Sequence, residues 1–337
     1  MKNLLTFSFI TFCLFFLIKG NNNDEIVSTS IHEYRGYYRR EYSLIKPYHS
    51  SSSHIPYWNI IGDTEVNNDE VRLTRDEKGK SGIIYNKSPV LFRDWEVMLS
   101  FSITGTKERL YGDGMAIWYV KEINRGPAFG LSKKFTGLGI FIDTYQNDNK
   151  GSDYQFPIIY GMINNGNKEY NIDNDGTSTR LGQRMCSAYL RNQGKGSTNL
   201  LLRYFNDTLS IYTDVDGEGK WKKCFDVKNV FLPTGYYFAV SGHTGDLHDT
   251  HDILAFRMYE LNLNRPNTEN VMSSHNMIPY HLDEKENILE TKNEKSFFYN
   301  LKVFILICIT ISILIFAVYY GLEYYKNRIA KSRKRFY

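Results

Sequence analysis

The chain has 337 residues and 15% of them are aromatic, with 26 Tyr and 21 Phe, so the sequence can fill a sizeable core. The formal net charge is only +4, and the last twelve residues alone contain six Lys and Arg side chains. Because the rest of the chain is therefore close to neutral, its charge argues against a nucleic-acid-binding domain.

The N-terminal segment, residues 1–20, reads MKNLLTFSFITFCLFFLIKG. One early Lys, a long apolar stretch and a small residue at the end are typical of a secretory signal peptide. An uncleaved membrane anchor is the alternative. Residues 21–40 are polar and are predicted to precede the folded domain, which the signal peptide would deliver to the lumen of the secretory pathway.

Residues 41–263 show the pattern of a β domain. DWEVMLSFSITG alternates apolar and polar side chains, which predicts a strand with one face in the core and one in water. NLLLRYFNDTLSIYTD predicts a hairpin that turns at Asn206–Asp207. GYYFAVSG and DILAFRMYELNL predict two further strands. Many strands joined by short turns, with almost no helical periodicity, predict an all-β sandwich.

Four polar clusters follow or precede these predicted strands, which is where a sandwich presents a binding site. They are YGDGMAIWY (111–119), FIDTYQND (141–148), YNIDNDG (170–176) and SGHTGDLHDTHD (241–252).

The second cluster has the pattern of a calcium site. On an extended backbone the side chains of Asp143 and Asn147 point the same way, and the carbonyl of Tyr145 can join them. Ca²⁺ prefers carboxylate, carbonyl and amide oxygens, and Asp175 would add a second carboxylate. The alternative is a solvated turn rich in Asp and Asn.

Two of the four cysteines remain for the lumenal domain. Cys13 lies in the predicted signal peptide and Cys308 in the apolar C-terminal run, which leaves Cys186 and Cys224. Two cysteines alone in an oxidising compartment are expected to form one disulfide.

The C-terminal region predicts a membrane anchor. Residues 264–300 are polar and predict a stalk, with too few apolar positions for a clear oligomerising coiled coil. Residues 301–322 include VFILICITISILIFAVYYGL, which is long enough at about 1.5 Å per residue to cross a membrane as one helix. A buried core helix is the alternative. The basic tail, residues 323–337, is then cytosolic, and the protein is a single-pass type I membrane protein.

Several of these stretches together resemble a known family. WNIIGDTEVNNDEVRLTRDEKGKSGIIYN, DWEVMLSFSITG, GDGMAIWYV, FIDTYQND, LPTGYYFAVSGHTGDLHDTHDI and the terminal KRFY are similar to the leguminous-type (L-type) lectins of the early secretory pathway. The resemblance is greatest to the vesicular integral-membrane lectin branch, related to the intermediate-compartment mannose-binding cargo receptor. It covers roughly residues 41–263, then the membrane span and tail.

The resemblance implies a fold and a site. The fold is a concave, jelly-roll β-sandwich, and the site holds one Ca²⁺ beside a mannose pocket. Gln146 replaces an acidic residue that holds an additional calcium in some relatives, so a single ion is expected. The Cys186–Cys224 disulfide matches one in the family. The implied calcium ligands are Asp143, Tyr145, Asn147 and Asp175, and the implied carbohydrate-binding residues are Asp113, Asn147, Gly245, Asp246 and Leu247.

The resemblance also implies a function. It describes a calcium-dependent, lectin-like cargo receptor that binds high-mannose N-glycoproteins for transport between endoplasmic reticulum and Golgi, and that is not an enzyme. The terminal Phe336–Tyr337 pair resembles an export signal that vesicle coat proteins recognise; a simple stop-transfer flank is the alternative. A homo-oligomer is compatible with the stalk. Cargo release is expected where calcium or pH falls, because metal binding requires ionised carboxylates.

Two positions depart from the family pattern. Ile172 stands where the family has a His that contacts sugar, and Gly79 stands where it has a Ser. Each lost hydrogen bond would remove about 0.5–1.5 kcal/mol, although Ser81 could replace one of them. The alternative function is therefore a degenerate lectin-fold receptor that binds protein cargo without recognising mannose.

Three weaker signals remain. HDTH suggests zinc, but no third ligand or helix accompanies its two His residues. No pair of carboxylates stands out as a glycoside-hydrolysing pair. Asn206 is the better glycosylation candidate, because Pro89 follows the sequon at Asn86.

Overall fold

The computed structural model describes residues 36–48, 55–108, 110–148, 155–194, 197–261, 277–282, 309–310, 312 and 316–329. The chain divides into two compact units, Met1–Leu282 and Asp283–Tyr337. The strands described below all belong to the first unit.

The described part of the first unit is built from strands joined by turns and by four short 3₁₀ helices, Arg40–Tyr42, Ile172–Asn174, Thr177–Thr179 and Leu181–Gln183. The strands are β1 (Tyr37–Tyr38), β2 (Trp58–Gly62), β3 (Glu65–Val66), β4 (Val71–Thr74), β5 (Ser81–Asn86), β6 (Trp95–Thr104), β7 (Gly114–Val120), β8 (Arg125–Gly126), β9 (Gly130–Leu131), β10 (Thr136–Asp143), β11 (Ile158–Asn165), β12 (Met185–Ser187), β13 (Thr198–Phe205), β14 (Thr208–Asp214), β15 (Lys222–Val227), β16 (Val230–Phe231), β17 (Tyr237–His243), β18 (Thr250–Glu260) and β19 (Tyr280–His281).

Two antiparallel sheets form the sandwich. Sheet I has the order β15-β14-β13-β6-β18-β4-β3, with β1 added beside β18. Sheet II has the order β12-β11-β10-β7-β17-β5-β2. Two short ribbons, β8–β9 and β16–β19, lie outside these sheets. The predicted all-β sandwich is confirmed.

The main core lies between the sheets and follows the alternation of the strands. On β6 the inward residues are the five apolar ones that the sequence pattern selects, Trp95, Val97, Leu99, Phe101 and Ile103. The outward face of β6 is less exposed than its polar residues suggest. Glu96 is buried there because the guanidinium of Arg203 pairs with it, at 2.6 Å from Nε to Oε2.

Sheet II is also buried on its second face. Trp118, Phe141 and Tyr160 project away from the main core and pack under loop residues that include Phe129 and Tyr170. A strand buried on both faces needs no polar alternation, which explains the unbroken run GMAIWYV in β7. This loop layer packs against β7, β10 and β11 on the second face of sheet II.

The predicted disulfide is confirmed. Cys186 of β12 and Cys224 of β15 are bonded, with their Cα atoms 5.3 Å apart. Since β12 ends sheet II and β15 ends sheet I, the disulfide links the outer strands of the two sheets.

Strands also form within the polar flanks of the predicted domain. β1 lies in the predicted N-terminal segment and pairs with β18, where Arg39 also forms an ion pair with Glu260. β19 lies in the predicted stalk and pairs with β16, and Tyr280 stacks on Phe231 with ring centroids 4.6 Å apart. Two-residue strands have no periodicity that a sequence pattern could reveal.

The second unit contains a helix over residues 316–329, with further helical residues at 309–310 and 312. No helix within this described part is both long and apolar enough to cross a membrane. Much of the predicted span, residues 301–322, lies outside the described residues. So do the predicted signal peptide, most of the predicted stalk and the Phe336–Tyr337 pair.

Candidate functional site

Strand register brings three of the four polar clusters to one edge of sheet II, the edge formed by neighbouring ends of β7, β10 and β17. Gly114, the first residue of β7, is the partner of Asp143 at the end of β10 and of His243 at the end of β17. Asp113 immediately precedes Gly114. The carboxylates of Asp113 and Asp143 and the loop after His243 therefore start at the same level of the sheet.

Asp143 is a buried carboxylate at this edge. Its Oδ1 accepts a hydrogen bond from the backbone N–H of Tyr145 at 3.2 Å, and its Oδ2 accepts one from the hydroxyl of Tyr160 at 3.0 Å. The Tyr160 hydroxyl also meets that of Tyr170 at 2.5 Å. Burial raises the pKa of Asp143 well above its usual value, and the negative charge of Asp175 raises it further.

Asp175 connects the fourth cluster to the loop after β10. Its Oδ1 accepts a hydrogen bond from the backbone N–H of Asn147 at 3.0 Å, and its Oδ2 accepts one from that of Asp148 at 3.3 Å. Arg180 holds the Asp175 carbonyl at 3.0 Å, and its guanidinium lies over the ring of Tyr160 at 4.9 Å. Burial raises the pKa of Asp175 as well. The structure thus brings the predicted calcium-binding segments together.

This set of groups suits a hard cation. Burial and the negative charge of Asp175 both disfavour an ionised Asp143, and a bound dication would offset both costs. No group of three or more His, Cys, Asp or Glu side chains in the described residues could hold a metal ion. The remaining ligands here would have to be neutral oxygens, such as the Asn147 amide and the Tyr145 carbonyl.

Asp113 lies beside this pair of carboxylates and is partly open to solvent. Its Oδ2 is 2.7 Å from Nδ1 of His243, and its backbone N–H donates to the His243 carbonyl at 3.1 Å. Its own carbonyl accepts from the N–H of Thr144 at 3.0 Å. A Cβ atom added at Gly245 would lie 3.3 Å from Oδ2 and 3.4 Å from Oδ1 of Asp113. The main chain of Gly245 therefore packs closely against the Asp113 carboxylate.

The loop after β17 is tied to the segment before β5. Thr244 donates through Oγ1 to the Glu77 carbonyl at 2.7 Å and accepts from the N–H of Lys80 at 2.9 Å. The carbonyl of Gly245 accepts from the N–H of Gly79 at 3.1 Å. Gly79, where the family pattern has a Ser, is therefore next to the predicted sugar-binding loop.

The next two loop residues differ in their surroundings. A Cβ atom added at Gly112 would lie 3.2 Å from Cβ of Tyr145 and 3.4 Å from Cβ of Leu247. Leu247 therefore packs closely against the backbone of Gly112. The side chain of Asp246 is almost fully exposed, and its Oδ1 lies 3.4 Å from the ammonium of Lys78. Gly245 and Leu247 are thus part of the site's wall, and Asp246 points outward from it.

Ile172 and Ser81 both lie beside the loop layer that covers the second face of sheet II. Ile172 begins a 3₁₀ helix and packs against the apolar cluster on the second face of sheet II. Ser81 pairs with His243 in the strand register, and its Oγ would lie 3.3 Å from a Cβ atom added at Gly130. Its hydroxyl therefore faces the loop layer around Gly130.

The two histidines of HDTH, His248 and His251, have different partners in the structure. Nδ1 of His248 is 2.5 Å from Asp76, and Nδ1 of the buried His251 is 2.6 Å from the hydroxyl of Thr74. Burial lowers the pKa of His251 to about 3. These partners lie far away in the sequence, which is why residue spacing alone did not reveal them.

A buried ion pair holds the loop between β17 and β18. Arg191 makes two hydrogen bonds to Asp249, both at 2.9 Å, and its guanidinium lies 4.2 Å from the ring centre of Tyr111. Burial raises the pKa of Asp249, although the hydrogen bonds from Arg191 oppose that rise. Sequence reasoning missed this pair, because no motif joins its two residues.

The two sequons differ in accessibility. Asn206 is exposed in the turn between β13 and β14, as the hairpin pattern predicts, whereas Asn86 is fully buried at the end of β5. A folded chain can therefore present only the first of these two asparagines to a modifying enzyme.

The sandwich and its edge site define a legume-lectin-like protein. The sequence model described as the Legume-like lectin family matches residues 35–270, and the chain belongs to that family. The predicted family resemblance is confirmed.

Individual relatives show how similar the chain is to named members of the family. The chain is 38% identical over 304 residues to the VIP36-like protein of Homo sapiens, which covers 89% of this chain and 86% of that relative. It is 43% identical over 237 residues to the vesicular integral-membrane protein VIP36 of Canis lupus familiaris, covering 69% and 65% of the two chains. Protein ERGIC-53 of Homo sapiens is 31% identical over 215 residues, or 63% of this chain and 41% of that one.

Solved structures give the same fold. The lumenal domain of VIP36 in its Ca²⁺/Man2-bound form matches with a TM-score of 0.69 and 40% identity, over 74% of this chain and 99% of that domain. Its Ca²⁺/Man3GlcNAc-bound form matches with a TM-score of 0.67 and 40% identity, over 73% and 99%.

Proposed function

We propose that this chain is a calcium-dependent, lectin-like cargo receptor that binds high-mannose N-glycans and carries glycoproteins between the endoplasmic reticulum and the Golgi. The observation that supports it most is the pair of buried carboxylates, Asp143 and Asp175, held together beside the accessible carboxylate of Asp113. Calcium- and mannose-bound forms of the related VIP36 domain support the same ligands.

In this proposal the side chains of Asp143, Asn147 and Asp175 and the carbonyl of Tyr145 hold one calcium ion. When bound, the ion supplies positive charge that keeps both buried carboxylates ionised. Gln146, which stands where some relatives have an acidic residue, donates to Oδ1 of Asp148 at 2.9 Å and offers no carboxylate to a second ion. This contact supports the expectation of a single calcium.

Sugar recognition in the proposal uses groups that these contacts hold in place. Asp113 accepts hydrogen bonds from sugar hydroxyls, the amide of Asn147 donates one, and the main chain of Gly245–Leu247 provides N–H donors. Rigid donors and acceptors reduce the ordering cost of binding a flexible, hydroxyl-rich ligand. A reversible binding site of this kind needs no catalytic group, in keeping with a family of lectins rather than enzymes.

The trafficking role rests on the sequence and on the relatives' names. VIP36 is named a vesicular integral-membrane protein. We propose the same kind of anchoring here, with a type I span at residues 301–322 and a cytosolic tail at residues 323–337. The Phe336–Tyr337 pair would engage a vesicle coat, and the stalk would permit a homo-oligomer.

A second candidate function follows from two positions at the site. Ile172 packs on an apolar cluster and presents no hydrogen-bonding group, and Gly79 has no side chain beside the Gly245 carbonyl. A receptor with the same fold could therefore recognise protein cargo without mannose. The double variant Ile172→His/Gly79→Ser should then gain mannose binding that the native chain lacks.

Capture of one glycoprotein in two forms separates these functions. The purified chain is immobilised and offered a high-mannose glycoprotein, either intact or after enzymatic removal of its glycans, with calcium or with chelator. The proposal expects capture of the intact form in calcium only. Asp113→Asn should abolish capture and leave calcium stabilisation intact, because Asp113 is not among the proposed calcium ligands. Equal capture of both forms would instead favour the protein-cargo receptor.

A further inference from the structure

The imidazole of His243 lies in the fourth polar cluster, 241–252, and has no role in the proposed calcium or sugar ligand sets. His243 ends β17, and its partners on the neighbouring strands are Gly114 and Ser81. Along β17, Phe238 and Val240 face the main core, so Ala239, Ser241 and His243 face the loop-covered side. Because Gly114 has no side chain, nothing on β7 separates the imidazole from Asp113.

The hydrogen-bonding roles in this pair follow from chemistry. An ionised carboxylate can only accept, so the proton of the 2.7 Å contact belongs to Nδ1 of His243, which donates to Oδ2 of Asp113. The second ring nitrogen, Nε2, makes no hydrogen bond to any residue that the structure describes, and neither does Oδ1 of Asp113. Both side chains remain partly exposed. Within the described part of the chain, the pair therefore leaves one carboxylate oxygen and one ring nitrogen available to a ligand.

His243 also binds Asp113 through the main chain. Its carbonyl accepts the N–H of Asp113 at 3.1 Å, while the Asp113 carbonyl is held by Thr144. The backbone of Asp113 is thus hydrogen-bonded through both its N–H and its carbonyl, so the carboxylate can still move only by rotation of the Asp113 side chain. The Nδ1 contact removes that rotation.

Resting on the proposed sugar-binding function, we propose that His243 is a positioning residue for the sugar site. It holds Oδ2 of Asp113 so that Oδ1 is aimed at a hydroxyl of the bound pyranose. It also offers Nε2 as an acceptor for a neighbouring hydroxyl. This chain therefore has an imidazole at the site even though Ile172 provides none, and it reaches the sugar from β17.

The test compares mannobiose binding by the full chain in mild detergent with two variants, His243→Ala and His243→Asn. The side-chain amide of Asn places a donor near the position of Nδ1, so it keeps the contact to Asp113 without the ring. We expect His243→Ala to weaken calcium-dependent mannobiose binding about tenfold. His243→Asn should retain most of the native affinity. The rise in melting temperature with calcium should be the same in all three proteins, since His243 is not a proposed calcium ligand.

The outcomes separate this inference from the function on which it rests. If the native chain binds mannobiose and His243→Ala binds equally well, the positioning role is wrong and the lectin function stands. Weak binding by both variants, with calcium stabilisation intact, also overturns the positioning role, because restoring the donor would then not matter. A native chain that binds no mannobiose in calcium overturns the sugar-binding function and this inference together.

Discussion

At the scale of single residues, the site depends on carboxylates placed where solvent cannot reach them. Asp143 and Asp175 accept hydrogen bonds from backbone N–H groups of the loop after β10, and the negative charge of Asp175 raises the cost of ionising Asp143. Such an arrangement is unfavourable for the empty protein and favourable once a cation is present. Single substitutions at these positions should therefore affect calcium binding more than folding.

Asp143→Asn is predicted to remove calcium stabilisation. The native chain should melt at a higher temperature in calcium than in chelator, whereas Asp143→Asn should melt at the same temperature in both. The variant should be no less stable than the native chain in chelator, because an amide costs less to bury than a charge. Asp148→Asn is the matched control and should keep the calcium shift. A calcium shift that persists in Asp143→Asn contradicts the proposed ligand set.

His251 is predicted to make stability fall in mild acid. Burial holds its folded pKa at about 3, below the model-peptide value of about 6.5. The contribution of His251 to the free energy of unfolding is therefore complete above about pH 6.5. It declines as the pH falls, because the unfolded chain then binds a proton that the folded chain does not bind. Between pH 7.5 and 5.5 the loss should be about 1.4 kcal/mol. Urea unfolding at both pH values measures it, and His251→Asn should show a smaller loss; an unchanged loss rejects the assignment.

The proposed calcium ligands follow from a local sequence pattern, whereas the contact between His243 and Asp113 does not. Asp143, Tyr145 and Asn147 alternate within one short stretch, so their common direction follows from strand geometry alone. The contact between His243 and Asp113 joins residues 130 positions apart and depends on the register of β17 against β7. No local pattern contains that register.

At the scale of elements, the strands were predictable where an apolar face alternates with a polar one. β6 shows this, since its apolar alternation marks the residues of the main core. β7 has no alternation because loops cover its second face, and β1 and β19 are too short to show any period. The missing information in each case is what packs against the strand.

The buried ion pair before β18 is predicted to hold the site's loop. Arg191→Ala would leave Asp249 buried without its partner, and the free energy of unfolding should fall by about 3–5 kcal/mol. Arg75→Ala is the matched control, because Arg75 pairs with Glu65 at the exposed surface and its loss should leave stability nearly unchanged. Chemical denaturation measures both, and equal effects would show that burial does not decide the outcome.

At the scale of the whole molecule, the described sandwich is one unit and the C-terminal segment another. The disulfide between β12 and β15 links the two sheets and the loop layer packs on sheet II, while family membership identifies the sandwich as legume-lectin-like. We propose that the remaining parts of the chain anchor and move this sandwich. Whether it carries sugar or protein then determines what the molecule does.

The most direct test is titration calorimetry of the purified chain with a high-mannose oligosaccharide, first in calcium and then in chelator. The proposed function predicts binding heat in calcium that disappears when calcium is removed. Absence of heat, from a protein that calcium still stabilises against melting, would contradict mannose recognition and would leave the calcium site as part of a protein-cargo receptor.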